Sequence, residues 1–293
     1  MNIGILTDST VDLAEKYINK YDIEVVPLSV HFGDKLYIDG IDINSTSFFK
    51  KLKTAEKLPT TSMPPVSLFK EKYKKMAEKY DYIISLHLSS TLSGTLKSAR
   101  MAAREISDTE IYFIDSLSIS LGLGFLTLLA AKLTKTTDSI QKIIETLETA
   151  RKNIFLYFTV NELKYLQEGG RIGKARALLG SILNINPIIS IDSSNGEVIP
   201  LEKTRGKKRT MKKMVQMGKE KLTETKNTWI GFVHGERKND LELFKKSLLN
   251  SIQNLDINYK TFSARVSPTL GCHVGPNVYA AVILTGNYLP MDI

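Results

Sequence analysis

The sequence predicts a two-lobed α/β protein: an N-terminal lobe on a mostly parallel sheet with flanking helices, and a C-terminal α/β lobe with a mixed or antiparallel sheet. Three observations lead there. Strand-length apolar runs alternate with helical patterns through the first half, which implies parallel strands joined by crossover helices. The second half carries a hairpin signal ahead of a long helix. A chain of 293 residues buries about three quarters of its unfolded surface and suits two lobes better than one small core.

The elements follow in order. Asn2 to Leu6 and Glu24 to Val30 read as strands. Pro65 to Tyr80 reads as a helix, with lysines opposite Phe69, Tyr73, Met76 and Tyr80. Tyr82 to Leu88 reads as a buried strand, Leu96 to Glu105 as a helix, and Ile111 to Ile114 as a short strand. Helices are expected from Ser118 to Lys135 and from Ser139 to Lys152, then a strand from Ile154 to Val160. Asn161 is placed to cap a short helix that ends in Glu168-Gly169-Gly170, and Arg171 opens a new amphipathic segment. The lobe boundary falls here, giving residues 1–160 and 161–293. The hairpin is expected from Pro187 to Ile191 and Val198 to Glu202, around Asp192-Ser193-Ser194-Asn195-Gly196. A basic helix, Lys207 to Leu222, follows it. Strand Trp229 to His234, helix Asp240 to Ser251, and strands Tyr259 to Ser263 and Val278 to Leu284 complete the reading.

Composition narrows the function classes. A hydrophobic fraction of 42% and a charged fraction of 24% describe an ordinary globular chain. The single cysteine, Cys272, rules out an internal disulfide and a cysteine-rich zinc site. Met1-Asn2-Ile3-Gly4 opens into a strand instead of a signal peptide, so a cytoplasmic location is expected. The longest apolar run, Leu121 to Leu133, is too short to span a bilayer. The net charge of +9 is partly spread along helices such as Lys70 to Lys79, and a denser cluster from Lys203 to Lys213 is suited to an acidic protein, an anionic lipid surface or nucleic acid. No aromatic residue is interleaved there, which argues against a stacking platform for single strands, and no nucleic-acid partner is expected.

The most informative segment is Ser89-Ser90-Thr91-Leu92-Ser93-Gly94-Thr95, directly after the strand Tyr82 to Leu88. Hydroxyls at a strand end, with the backbone N–H groups of Ser93, Gly94 and Thr95 opening a helix, suit a carboxylate or phosphate. Simple capping is the alternative for any one of these hydroxyls. A second group, Thr60-Thr61-Ser62, precedes Met63-Pro64-Pro65, and the prolines hold it extended. Thr61 pointing into the site of Ser93 is one reading; Ser62 or Ser67 capping the next helix is the other. Asp8 and Asp115, one residue after strands, read as turn caps more readily than as metal ligands, and with Asp39 they leave no metal expected. His31, His87, His234 and His273 lack the close pairing of a zinc site. His273 lies in Gly271-Cys272-His273-Val274-Gly275-Pro276-Asn277, read as a loop able to contact a ligand. Neither a G-x-S-x-G elbow nor a P-loop occurs, which points to binding without chemistry.

Taken together, several segments resemble the DegV family of bacterial lipid-binding proteins. They are Leu6-Thr7-Asp8-Ser9, Thr61-Ser62 before a proline, Ser89 to Thr95, Asp115 to Gly124, Gly169-Gly170-Arg171-Ile172-Gly173-Lys174, Lys203-Thr204-Arg205-Gly206 and His273-Val274-Gly275-Pro276. The resemblance covers nearly the whole chain. It implies a protein that encloses one long-chain fatty acid such as palmitate, its carboxyl group bound at Thr61 and Ser93 with Ser62, Gly94 and Thr95 alongside. Arg171 and His273 match positions near the head group. It also implies service to a separate ATP-binding fatty acid kinase subunit that makes an acyl phosphate, with Lys203 and Arg205 on the surface that meets it, and transient contact with a membrane surface. On this reading the chain is no enzyme and carries no cofactor. The chain departs from the family pattern at Asn277 and at Met63-Pro64-Pro65. The competing reading is an enzyme acting on a small carboxylated or phosphorylated substrate at the Ser93 loop, with His273 as base.

Overall fold

A computed structural model describes residues 2–179, 185–222 and 227–292. Its first half runs β1 (Ile3–Asp8), α1 (Glu15–Lys20), β2 (Glu24–Val26), β3 (Ser29–Phe32), β4 (Lys35–Ile38), α2 (Ser45–Leu52), β5 (Thr60–Ser62), α3 (Val66–Ala77), β6 (Tyr82–His87), α4 (Thr95–Ala103), β7 (Glu110–Asp115), α5 (Leu121–Leu133) and α6 (Ile140–Lys152). The second half runs β8 (Ile154–Thr159), α7 (Lys164–Glu168), β9 (Ile185–Ile191), β10 (Val198–Arg205), α8 (Lys207–Leu222), β11 (Asn227–His234), α9 (Lys238–Ile252), β12 (Asn258–Arg265), α10 (Pro268–Val274) and β13 (Tyr279–Thr285).

One sheet, in the order β2-β1-β6-β7, is parallel throughout. A second, β10-β9-β8-β13-β11-β12, is antiparallel except where β11 pairs with β12. The protein is therefore a mixed α/β fold with a parallel sheet in the first lobe and a mixed sheet in the second. Helix α5 joins them: it contacts β1 and β6 of one sheet and β8, β11 and β13 of the other. A helix covered on all sides must be apolar all round, which explains why Leu121 to Ala131 is buried without a polar stripe.

Three expectations need correction. Glu24 to Val30 is not one strand: it breaks at Pro27, which lacks an N–H, so β2 stays in the parallel sheet while β3 joins β4 and β5 in a small antiparallel sheet. Asn161 does not cap α7, whose N-cap is Leu163; its side chain instead accepts a hydrogen bond from Arg237 Nη1 at 2.9 Å. Gly271 to Val274 is helical, not a loop, because Pro268 sits in the first turn of α10 and the helix runs to a stop at Gly275, φ 71°.

Candidate functional site

The polar segments that follow β1, β6 and β7 are built by ordinary turn chemistry. Asp8 caps a short 3₁₀ turn, accepting from the Thr10 N–H and hydroxyl, and also receives the Leu88 N–H at 3.0 Å. Its second oxygen contacts His87 Nδ1 at 3.1 Å; His87 Nε2 lies 2.8 Å from Ser85 Oγ, itself 2.7 Å from the Tyr73 hydroxyl. Serine, histidine and aspartate stand in line, and all three are 0% exposed, so this array ties strand ends together within the core. Asp115 accepts from the Ser90 N–H and hydroxyl and the Leu117 N–H.

The hydroxyl-rich loop divides by role. Ser89 donates to the Gly196 carbonyl and Thr91 to the Asn195 carbonyl, fastening the loop to the tip of the β9–β10 hairpin. With Ser90 on Asp115, three of the hydroxyls hold the loop in place. Two of the three expected backbone N–H groups are engaged too: that of Ser93 donates to the Ser89 carbonyl at 3.1 Å and that of Thr95 to Ser93 Oγ at 3.3 Å. The expected set of free amides is therefore not present, because the loop turns back on itself before α4 begins. What remains toward the interior is the Ser93 hydroxyl, 2.9 Å from Thr95 Oγ1.

Between the two sheets lies a narrow cavity of about 50 Å³. Thr61, Ser93, Arg171 and His273 line one part of it, and Leu88, Leu92, Phe158, Leu166, Leu270 and Val274 much of the rest. It adjoins a second, smaller chamber of about 30 Å³, with Ile119, Phe158, Leu270 and Val274 shared by both. The inner chamber is walled by Leu156, Val233, Val266, Val278, Ala280 and Val282. Leu156 and Phe158 of β8, and Ala280 and Val282 of β13 with Val278 just before it, are alternate residues of one face; Tyr157, Tyr279 and Ala281 turn to the opposite core. At the polar end, Thr61, Arg171 and His273 also line an outer groove that opens between the segment Leu52 to Thr61 and α7, where Lys53, Lys57 and Lys164 stand. These three residues thus mark the junction between an apolar interior and a polar mouth.

The junction has a defined hydrogen-bond order. Thr61 Oγ1 is 3.0 Å from His273 Nε2. His273 Nδ1 is buried without a partner among the described residues, and a Cβ on Gly169 would lie only 2.4 Å from it. A bare lone pair is tolerated there better than an unpaired N–H. The proton accordingly belongs on Nε2, which donates to Thr61 and turns the Thr61 hydroxyl hydrogen toward the cavity. Burial, aided by the nearby Arg171 charge, pushes the His273 pKa down to about 4, so the ring is neutral at pH 7. Arg171 carries the positive charge of the junction, and its Nε and Nη1 also brace the site by donating to the Leu92 and Gly169 carbonyls.

The other candidate residues stand apart. Ser62 is exposed and pairs with His31 Nε2 at 2.8 Å; it does not cap α3, whose N-cap Pro65 has no side-chain bond, and neither does Ser67. Thr95 is fully buried behind Ser93, and Gly94 is exposed, with Met63 Sδ only 2.6 Å from where a Cβ there would lie. None of the three lines either chamber. Lys203 and Arg205 are exposed on the edge strand β10, away from the mouth. No hydrogen bond joins Ser93 to His273, so a serine nucleophile with a histidine base is not assembled. Among the described residues no three His, Cys, Asp or Glu side chains are grouped to hold a metal, and no helix is long and apolar enough to cross a membrane.

Sequence reasoning did not find the apolar wall. Its signal was present in the alternation of Leu156 and Phe158 and of Val278, Ala280 and Val282, but neither strand's inward face can be assigned before the sheet order is known.

Compared with known proteins, residues 2–286 match the family described as uncharacterised protein, DegV family. A DegV domain-containing protein of Clostridium acetobutylicum is 35% identical over 284 residues, 96% of this chain and 98% of that protein. Among solved structures, a DegV family protein from Thermus thermophilus described by its fatty acid binding has a TM-score of 0.91 at 29% identity, covering 98% of this chain and 100% of that one. DegV of Bacillus subtilis, described as a fatty acid binding protein, has a TM-score of 0.88 at 30% identity with the same coverage.

Proposed function

The chain belongs to the DegV family, and on that premise we propose that it encloses one long-chain fatty acid and presents its carboxyl group to a partner kinase without itself catalysing a reaction. The observation that carries this reading is the junction: an apolar double chamber ends at Thr61, Ser93, Arg171 and His273, three of which also face the outer groove. The fatty acid binding described for the Thermus thermophilus and Bacillus subtilis proteins supports it.

The physics of such a complex is favourable. Burying about fifteen methylenes at roughly 0.8 kcal/mol each releases on the order of 10 kcal/mol before ordering costs. A carboxylate drawn into that interior is costly unless compensated. The Thr61 hydroxyl, turned inward by His273, donates to one oxygen; the Ser93 hydroxyl donates to the other when Thr95 Oγ1 donates to Ser93; Arg171 supplies the charge. A neutral His273 avoids adding a second buried cation.

Phosphoryl transfer would then belong to an ATP-binding fatty acid kinase subunit that reaches the carboxyl through the outer groove, and Lys203 and Arg205, which lie away from that groove, would be a separate contact for it. Two assays separate the parts. Titration with palmitate against methyl palmitate tests the pocket, and preference for the free acid is expected; equal affinity would remove the junction from the account. Incubating the loaded protein with a fatty acid kinase subunit and ATP tests the partner, with acyl phosphate expected and its absence limiting the protein to binding.

A further inference from the structure

Helix α10 supplies His273 to the junction and Leu270 and Val274 to both chambers, yet its seven residues are too few to hold their own place. Two carboxylates from the other end of the sequence hold it. Asp12 Oδ1 accepts the Ser267 N–H at 2.9 Å, and Asp39 Oδ2 accepts the Thr269 N–H at 3.1 Å and the Thr269 hydroxyl. Asp39 Oδ2 also receives the Ser9 hydroxyl at 3.1 Å. Asp12 Oδ2 in turn accepts the Ser120 hydroxyl at 2.6 Å; Ser120 lines the inner chamber and is held at φ 53°, a conformation that side-chain-bearing residues rarely adopt. Both carboxylates line an open surface groove together with Ser267 and Pro268, so they have a path to water.

We propose that Asp12 and Asp39 are positioning residues: together they clamp the start of α10 against Ser120 and the 3₁₀ turn after β1, and the opening of this clamp sets how fast the enclosed chain exchanges. The proposal rests on the fatty acid reading above. Burial raises the Asp12 pKa to about 7 and that of Asp39 to about 6. Protonation does not break the clamp. A neutral Asp12 still accepts the Ser267 N–H through one oxygen and donates its proton from the other to Ser120 Oγ. When α10 moves away, both groups meet water and return toward ordinary carboxylate values, so opening releases protons and is favoured as pH rises.

Other charges face the clamp. Glu15 and Arg265 line the groove, Arg265 being paired with Glu236; Asp8 lies close enough to raise Asp39, and Asp39 raises Cys272. His273, on α10 itself, works the other way: held near 4 when closed, it favours opening as pH falls toward 6 and below. Its contribution is common to wild type and to clamp variants, so their ratio isolates Asp12.

The test follows release of radiolabelled palmitate from the loaded protein to excess albumin between pH 6 and pH 8. Relative to Asp12→Asn, which keeps both hydrogen bonds without a titratable proton, wild-type release should accelerate about tenfold across that range. Asp12→Ala should release faster than Asp12→Asn at every pH. In the lipid-free wild type, the protection factors of the Ser267 and Thr269 amides against hydrogen exchange should fall over the same range, while those in α9 do not. Identical pH profiles for wild type and Asp12→Asn, or unchanged protection of the two amides, would overturn the clamp. A wild type that takes up no palmitate at any pH would overturn the fatty acid reading instead, and amide protection would still decide on the clamp.

Discussion

Ala280→Leu tests the inner chamber as the seat of the acyl tail. Ala280 lies on β13, opposite Phe158 on β8 and Val233 on β11, and all three line that chamber. Leucine adds three carbons to the wall and displaces about three methylenes of a bound chain. At roughly 0.8 kcal/mol each this removes about 2.4 kcal/mol, or some sixtyfold in Kd, from a ligand long enough to reach the chamber. A ligand four carbons shorter stops before the new side chain and keeps its affinity within about threefold. Isothermal titration with palmitate and dodecanoate, alongside circular dichroism to establish that the variant is folded, provides the readout. Equal losses for the two chains, or no loss for palmitate, would refute the placement of the tail.

Three further outcomes are expected. Ser93→Ala removes one head-group donor and should weaken palmitate about tenfold, near 1.4 kcal/mol, with little change in Tm; unchanged occupancy would remove Ser93 from the site. His273 has its pKa depressed from 6.5 to about 4, so the unfolded chain binds the extra proton between those values and stability falls as pH is lowered through that window. His273→Gln should abolish this loss, on the order of 3 kcal/mol, in urea titrations at pH 7 and pH 4, and an identical pH dependence would contradict the buried neutral ring. Asp8→Ala orphans the N–H groups of Thr10 and Leu88 and the His87 ring, at about 3–5 kcal/mol in chemical denaturation; a cost under about 1 kcal/mol would show that the buried array is dispensable.

The regular elements were legible where local pattern and tertiary demand agree. Helix α8 was read at its observed limits, Lys207–Leu222, and β8 within one residue. The small sheet β4-β3-β5 was missed because its strands are three or four residues long and gain their partners only through tertiary pairing. Helix α2 was missed although Asn44 and Ser47 form a reciprocal capping box, a signal readable in the sequence. Thr61, Ser93, Arg171 and His273 were named from hydroxyl loops and family resemblance, and the fold brings all four to one cavity. Which hydroxyls merely anchor the loop was not readable, since the partners of Ser89 and Thr91 lie at Gly196 and Asn195, more than a hundred residues away. The roles of Asp12 and Asp39 were hidden for the same reason: Asp12 meets Ser267 across 255 residues and Asp39 meets Thr269 across 230.

The enclosed fatty acid is tested most directly by native mass spectrometry of the purified protein, followed by solvent extraction and identification of what is released. A mass increase equal to one long-chain fatty acid, lost on extraction, is the predicted result. A protein that is empty as isolated and stays empty after incubation with a panel of fatty acids would contradict the account and favour a small carboxylated or phosphorylated substrate at the Ser93 loop.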